Sequence, residues 1–128
     1  MVQYNLKHYA HIGDAVFELF IRENVILHTT KQNDMHKMTT KYVNAESQAE
    51  ILSQIKDFFT KEESEIIRMG HNLPITANKR NNQKIHRIAT SFEVIIGYLY
   101  LNDKKRLNEL FLKIKKTLTF SENPKISV

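Results

Sequence analysis

The sequence predicts an all-α domain built from about five main helices. Apolar residues recur every three or four positions along most of the 128-residue chain, which is the spacing of one helix face. Three glycines and two prolines provide few of the turn signals that short strands require. A chain that is 41% hydrophobic can fill one core, so the composition argues against disorder.

The first two helices are expected to be long. The first runs from about Leu6 to Leu27 and buries an apolar face that contains Val16 and Phe20. The second starts at a cap formed by Asn33 or Asp34 and continues to about Lys56. No glycine or proline interrupts the second segment, so we expect one continuous helix.

The third helix is expected to be short. Thr60 and Glu63 have the spacing of a capping box, in which each side chain accepts a hydrogen bond from the other residue's backbone. Gly70 is well placed to end this helix. A polar loop from His71 to Gln83 should follow.

Two further helices complete the predicted domain. The fourth runs from about Ile85 to Leu101, and Asn102 or Asp103 then caps the fifth. We assign residues 1–120 to the folded domain and residues 121–128 to a frayed tail.

The composition also limits the function. With no cysteine, the chain has no disulfide, no reactive thiolate and no cysteine-based zinc site. Its longest apolar run, Val94 to Leu101, is far shorter than the ~20 residues that a membrane-spanning helix needs. The N-terminus has no apolar signal region. We therefore expect a cytoplasmic protein without a membrane partner.

The charge of the chain is segregated. The formal net charge is +5, and four cations occur between residues 74 and 89 without an acid: Lys79, Arg80, Lys84 and Arg87. By contrast, residues 57–65 hold four acids and one lysine. A basic face of this kind favours nucleic acid as the partner. A solvated loop is the alternative explanation of the same run.

Two glycines fall inside predicted helices, Gly13 in the first and Gly97 in the fourth. Each costs about 1 kcal/mol relative to alanine in a helix interior. A common compensation is the close approach of another backbone. We therefore expect these two helices to cross near the glycines.

Asp14 and Glu93 are acids on apolar helix faces next to that predicted crossing. Two carboxylates brought together repel each other unless one is protonated or a cation lies between them. A hard divalent cation such as Mg²⁺ or Mn²⁺ prefers oxygen ligands of this type. Separate carboxylates, each satisfied by backbone or lysine, are the alternative. A site of His8, His11 and Asp14 for a transition metal is a weaker one.

Two segments with these acids resemble the signature motifs of the ribonuclease III family. The GDAV-type helix of that family is similar to HIGDAVFELFIREN at residues 11–24, and its second motif is similar to SFEVIIGYLYL at residues 91–101. The resemblance continues through MHKMTTKYVNAESQAEI and FTKEESEIIRMGHN and covers about residues 9–120. It is closest to Mini-ribonuclease III, the minimal bacterial branch, which has no double-stranded-RNA-binding domain.

The resemblance implies which residues are catalytic. Larger ribonuclease III enzymes carry two further acids where this chain has Ala10 and Thr90, and the mini branch is similar to this chain at both positions. Asp14 and Glu93 are therefore the acids carried over as catalytic residues and as ligands of Mg²⁺, with Mn²⁺ as a substitute. The family's reaction is hydrolysis of a phosphodiester in double-stranded RNA.

The resemblance also implies partners. It implies a homodimer, for which Phe17, Phe20 or Ile95 could form the two-fold interface or could instead be core. The mini branch matures the ends of large-subunit (23S) ribosomal RNA, so precursor ribosomal RNA is the implied substrate, and a ribosomal protein that presents it stays open. The first choices for contacts to RNA phosphates are Lys79, Arg80, Lys84 and Arg87.

Two alternative functions stay open. One is a non-catalytic helical RNA-binding protein that acts in ribosome biogenesis. The other is a helical interaction module whose basic faces serve solubility. Magnesium-dependent cleavage of a duplex RNA distinguishes the enzyme from both.

Overall fold

The structure of the protein, a computed structural model, describes residues 4–74 and 82–118. The predicted all-α class is confirmed, since these ranges contain helices and no strand. None of the described helices is both long enough and apolar enough to cross a bilayer. The predicted tail at residues 121–128 lies outside the described ranges.

The helices are α1 (Leu6–Val25), α2 (Gln32–Val43), α3 (Ala45–Gln54), a 3₁₀ helix (Lys56–Phe58), α4 (Lys61–His71), α5 (Gln83–Asn102) and α6 (Lys104–Thr117).

The caps show why the helices begin where they do. The predicted capping box of α4 is confirmed, because Thr60 Oγ1 accepts from the Glu63 backbone and Glu63 Oε1 accepts from the Thr60 backbone. Asp103 caps α6 in the predicted way. The cap of α1 has no such signal in the sequence, since His8 takes the place of the usual acid and its Nδ1 accepts from the Asn5 backbone at 3.1 Å.

The prediction of one continuous second helix is wrong, because the chain breaks at Asn44. The Asn44 backbone is extended there, with ψ at 165°. Its side-chain nitrogen donates to the Thr40 and Lys41 carbonyls of α2, and its oxygen accepts from the Ser47 backbone of α3. One asparagine therefore ends α2 and caps α3. Its side-chain hydrogen bonds compete with the backbone bonds of a continuous helix, so the break needs neither glycine nor proline.

Three predicted helix ends also differ. The residue before α2 is Lys31, which makes no side-chain cap, so neither Asn33 nor Asp34 is the cap. α1 ends at Val25, two residues before the predicted Leu27. α4 ends at His71, one residue after the predicted Gly70. A methyl group on Gly70 would lie 3.1 Å from Val94 Cβ of α5, so this glycine lets the two helices pack closely.

α5 is the central helix and packs against α1, α3, α4 and α6. Its residues Phe92, Ile95 and Ile96 are fully buried. The predicted crossing of α1 and α5 at their glycines is confirmed. A methyl group on Gly13 would overlap the Glu93 carbonyl oxygen, and one on Gly97 would overlap the carbonyl oxygen of Tyr9. The two backbones touch at this crossing.

The residues suggested for a two-fold interface are core residues of one chain. Phe17 and Ile95 are 0% exposed and Phe20 is 8% exposed. Phe17 packs edge-on against Phe92, and Phe20 stacks on Phe111 of α6. Because their surfaces are already covered within the chain, these three side chains are not available to a partner subunit.

A half-buried ion pair joins α4 to the start of α6. Arg106 donates to both carboxylate oxygens of Glu63, each at 2.8 Å, and also to the Phe58 carbonyl at 3.0 Å. Its guanidinium lies 4.0 Å from the centre of the Phe58 ring. The hydrogen bonds from Arg106 lower the pKa of Glu63 below its ordinary value, although burial acts in the opposite direction. Arg106 is thus engaged within the protein.

Candidate active site

The glycine crossing brings the two predicted catalytic acids to one region of the surface. Asp14 follows Gly13 on α1, and the Glu93 carbonyl is the group that approaches Gly13. Asp14 is exposed and Glu93 is half-buried. Both side chains line the same two neighbouring cavities, together with Thr90 from α5.

We call the first of these the α3 cavity, since it opens toward the start of α3. Its volume is about 260 Å³. Besides the two acids and Thr90, its lining includes Ala45 and Gln48. Lysine and arginine are absent from the described residues that line it.

The second is the α4 cavity, which opens toward the end of α4 and has a volume of about 410 Å³. Lys7 and His11 of α1 line it beside Asp14, one helical turn apart on the same face. Leu73 and Pro74 form its apolar wall. The acids thus lie between a cavity that is also lined by Lys7 and His11 and a cavity whose other polar side chains are Gln48, Thr90 and His86.

The donor set fits a hard divalent cation. Two carboxylates and the Thr90 hydroxyl offer oxygen ligands around one cavity. No group of three or more His, Cys, Asp or Glu side chains suited to a metal occurs within residues 4–74 and 82–118. An ion held by Asp14 and Glu93 would therefore complete its shell with water or substrate.

The alternative site of His8, His11 and Asp14 for a transition metal receives no support. His8 Nδ1 accepts the Asn5 backbone N–H as part of the α1 cap, so that nitrogen is already used. His11 faces the α4 cavity with Asp14, whereas His8 packs against Tyr4 with ring centres 6.1 Å apart.

The four predicted RNA-binding cations fall into three groups. Lys79 and Arg80 lie outside the described residues. Lys84 is exposed in the first turn of α5. Arg87 is half-buried, and its Nη1 donates to the carbonyls of His71 and Leu73 at 3.2 and 3.4 Å. Arg87 therefore satisfies backbone carbonyls at the end of α4, which are otherwise without helical partners.

Gln48 is a residue of the site that lies in neither of the two signature motifs named above and was not predicted from the sequence. It is 3% exposed, and its Nε2 donates to the Val43 carbonyl at 3.2 Å. The signal was available, since Gln48 lies three residues after Ala45 and four before Leu52, on the apolar face of its helix. A polar residue on an apolar helix face is also the feature that indicated Glu93 as a candidate site residue.

Comparison with known proteins agrees with this arrangement. The ribonuclease III domain family matches residues 7–104 of the chain. Mini-ribonuclease 3 of Thermosynechococcus vestitus is 41% identical over 102 residues, which are 80% of this chain and 68% of that protein. Mini-ribonuclease 3 of Staphylococcus aureus is 36% identical over 110 residues, 82% of each chain.

A solved structure supports the fold. The crystal structure of a Fusobacterium nucleatum protein superposes with a TM-score of 0.77 at 27% sequence identity, covering 91% of this chain and 96% of that one. The family match extends across both acidic motifs and the helices between them. The chain therefore belongs to the ribonuclease III family, in its Mini-ribonuclease III branch, and is an endoribonuclease of that family, whose members act on double-stranded RNA.

Proposed function

We propose that this protein is a magnesium-dependent endoribonuclease that hydrolyses double-stranded RNA at Asp14 and Glu93. The observation that carries the proposal is the crossing of α1 and α5, where Gly13 allows the two acids to line the same cavities. An all-oxygen donor set of this kind suits Mg²⁺, with Mn²⁺ as a substitute.

The chain's own residues have two tasks in this reaction. Asp14 and Glu93 would hold the cation, which would balance their negative charge at the place where the phosphate must bind. When bound, the cation activates water and relieves the charge that develops on the leaving oxygen. Because the described residues supply only two acids here, water or the RNA phosphate would complete the shell of a bound cation.

The proposed contact of Lys84 with RNA is supported by its position. It is exposed in the first turn of α5, a turn that contains no acid. The helix macrodipole is unfavourable for a cation at a helix N-terminus and favourable for an anion. A phosphate bound there would interact with both Lys84 and the helix end. Contacts by Lys79, Arg80 and Arg87 are proposed from the same basic run.

We propose precursor ribosomal RNA, cut at the ends of the 23S sequence in the cytoplasm, as the substrate. A ribosomal protein that presents this RNA is part of the proposal. Its test is cleavage of a precursor transcript with and without ribosomal proteins, followed by mapping of the ends. Ends that do not coincide with mature 23S termini would contradict this assignment and leave the nuclease activity unaffected.

The proposed assembly is a homodimer, and α1 offers an apolar stripe for it. Leu19 of α1 and Ile26, the residue that directly follows this helix, are seven residues apart on the same side, and each is 58% exposed. Val16, half-buried, extends the same face. Exposed apolar residues in a row are typical of an interface.

Measurement of mass in solution tests the dimer. The wild type should have twice the mass of one chain, and Leu19→Lys should have the mass of one. Leu112→Lys is the matched control, since Leu112 is 64% exposed on α6. A wild type that is monomeric at micromolar concentration would contradict the proposed assembly.

The central experiment is cleavage of a duplex RNA in the presence of Mg²⁺. Asp14→Asn and Glu93→Gln should each reduce the rate at least about 100-fold while duplex binding and helicity persist. Glu23→Gln, which changes an exposed acid of the same helix, is the control. Binding of duplex RNA by the wild type without cutting would instead identify a non-catalytic RNA-binding protein in ribosome biogenesis.

A further inference from the structure

Gln48 is a buried polar side chain in the wall of the α3 cavity. It lies in the first turn of α3, is 3% exposed, and lines the cavity together with Asp14 and Glu93. A buried amide carries two donors and one strong acceptor, and leaving such a group without a partner is costly. The hydrogen bonds of this side chain therefore need a complete account.

The orientation of the Gln48 amide follows from its one bond. Nε2 donates to the Val43 carbonyl at 3.2 Å, and only the NH₂ group can donate to a carbonyl. Within the described part of the chain, Oε1 has no hydrogen-bond partner. In that same part of the chain, every side-chain nitrogen or oxygen that is closed off from solvent has a hydrogen-bond partner. An oxygen without a partner is therefore accessible to solvent. Oε1 is thus open to the α3 cavity.

The chemistry of the cavity narrows the ligand to a hydrogen-bond donor. Oε1 can only accept, and the neighbouring carboxylates of Asp14 and Glu93 are acceptors as well. In double-stranded RNA the phosphate oxygens also only accept, and the base edges of the narrow major groove are out of reach. In the wide minor groove the donors are the 2′-hydroxyls and the guanine amino groups, and of these only the 2′-hydroxyl belongs to every nucleotide and distinguishes RNA from DNA.

The position of Gln48 also favours a sugar. Asp14, Thr90 and Glu93 line both cavities, whereas Gln48 lines the α3 cavity alone. Gln48 therefore lies to one side of the acids. With a phosphate bound at the acids, the ribose that adjoins it occupies such a flanking position.

We propose that Gln48 Oε1 accepts a hydrogen bond from the 2′-hydroxyl of a nucleotide adjoining the scissile phosphate, which makes Gln48 a specificity residue for RNA over DNA. This proposal rests on the proposed function, because it requires cutting beside Asp14 and Glu93. The bond from Nε2 to Val43 holds the acceptor in place before RNA binds.

The first test uses the full-length wild-type protein and changes only the substrate. A duplex RNA with a mapped cut is compared under single-turnover conditions with duplexes that carry one 2′-fluoro or one 2′-deoxy nucleotide on either side of it. A 2′-fluoro sugar keeps the RNA pucker and cannot donate. At one of the two positions both changes should slow cutting about 3- to 10-fold. If 2′-fluoro at both positions is cut as fast as RNA, the proposal is overturned.

The second test links that loss to Gln48. Gln48→Met keeps a long, unbranched side chain and removes the acceptor. It should slow cutting of the all-RNA duplex about 3- to 10-fold, and the 2′-fluoro change should then have no further effect. A purely structural role at the junction of α2 and α3 would slow every duplex by the same factor and preserve the sensitivity to fluorine, which would overturn the proposal.

The matched control is Gln54→Met on the same helix. Gln54 is exposed, and its Nε2 donates to Glu50 at 2.9 Å. This variant should keep the wild-type response to 2′-fluoro. A wild type that does not cut duplex RNA in Mg²⁺ would overturn the proposed function and this inference together. Normal cutting without the Gln48 effect would overturn the inference alone.

Discussion

Gly13 and Glu93 meet through their backbones, so closely that a methyl group on Gly13 would lie 2.7 Å from the Glu93 carbonyl carbon and overlap its oxygen. The position of Glu93 relative to Asp14, the residue after Gly13, therefore depends on the absence of one side chain. The same holds at the other side of the crossing, where a methyl group on Gly97 would lie 2.6 Å from the Tyr9 carbonyl carbon. The geometry of the candidate site follows from the packing of two backbones.

Alanine at either crossing glycine should be strongly destabilising. Alanine is favoured over glycine by about 1 kcal/mol in an ordinary helix interior. Here the methyl group would collide with backbone that cannot rotate away, so Gly13→Ala and Gly97→Ala should each lower the free energy of unfolding by about 3 kcal/mol or more. Urea denaturation measures this change, and RNA cleavage should fall with it.

Gly70→Ala is the comparison for that prediction. The new methyl group would lie 3.1 Å from Val94 Cβ, a tight contact that a small shift relieves. The change in stability should stay within about 1 kcal/mol, since the gain in helix propensity offsets the crowding. Equal losses at Gly13 and Gly70 would contradict the special status of the crossing.

The ion pair of Glu63 and Arg106 should make stability depend on pH. The pKa of Glu63 is lowered in the folded protein from its ordinary value of 4.5, chiefly by hydrogen bonds from Arg106. The stabilisation is therefore fully present above pH 4.5 and is lost as the pH falls through the lower, folded-state pKa. Urea denaturation from neutral pH down to about pH 3 should record this loss.

Arg106→Met should remove that pH dependence and cost about 3 kcal/mol at neutral pH, because it leaves the Glu63 carboxylate buried without its partner. Arg68→Met is the control. Arg68 pairs with Glu65, whose pKa is also lowered by its partner's hydrogen bonds, and both side chains are more than half exposed. This variant should leave stability almost unchanged. Equal effects of the two substitutions would show that burial is not the deciding factor.

Lys84 and Arg87 should behave differently although they are three residues apart. Lys84→Met should weaken duplex RNA binding without changing stability, and it should reduce the slope of log affinity against log salt by about 1. Arg87→Met should lower the free energy of unfolding by about 1–2 kcal/mol, because it releases the His71 and Leu73 carbonyls. Fluorescence anisotropy at several salt concentrations and urea denaturation separate the two effects.

Lys61→Met is the control for Lys84. Lys61 is exposed at the first position of α4. The α4 cavity, which Leu73 lines, lies at the opposite end of this helix, so Lys61 is far from the candidate site. It should keep the wild-type salt slope. A Lys84 variant with an unchanged slope would argue against a phosphate contact at the start of α5.

Asn44→Ala should loosen the junction between α2 and α3. Asn44 caps α3 through Ser47 and donates to the last carbonyls of α2, so the substitution removes both sets of bonds. The expected loss is about 1–2 kcal/mol in the free energy of unfolding. Because Ala45 and Gln48 lie in the wall of the α3 cavity, cleavage should slow as well. A variant as stable as the wild type would contradict the double role of Asn44.

The sequence alone determined the all-α class, the start of α4 and α6, and the crossing of α1 and α5. Each of these follows from short-range patterns: apolar spacing, a capping residue, or a glycine whose cost in a helix requires a compensation. The pairing of Asp14 with Glu93 in one cavity lining was likewise within reach, because both acids lie beside such glycines. Their roles as catalytic residues and metal ligands stay predictions.

Only the tertiary structure decided what covers each face. Periodicity identified Phe17, Phe20 and Ile95 as apolar positions, but a core residue and an interface residue have the same spacing, and the packing of α1 against α5 and α6 made them core. The sequence predicted Arg87 as an RNA contact, yet Arg87 bonds to the Leu73 carbonyl, 14 positions away, and Arg106 likewise bonds to Glu63, 43 positions away. The break at Asn44 depended on side-chain hydrogen bonds to both α2 and α3, which replace the backbone bonds of a continuous helix. Local pattern fixes which side of a helix is apolar, and distant parts of the chain fix what that side meets.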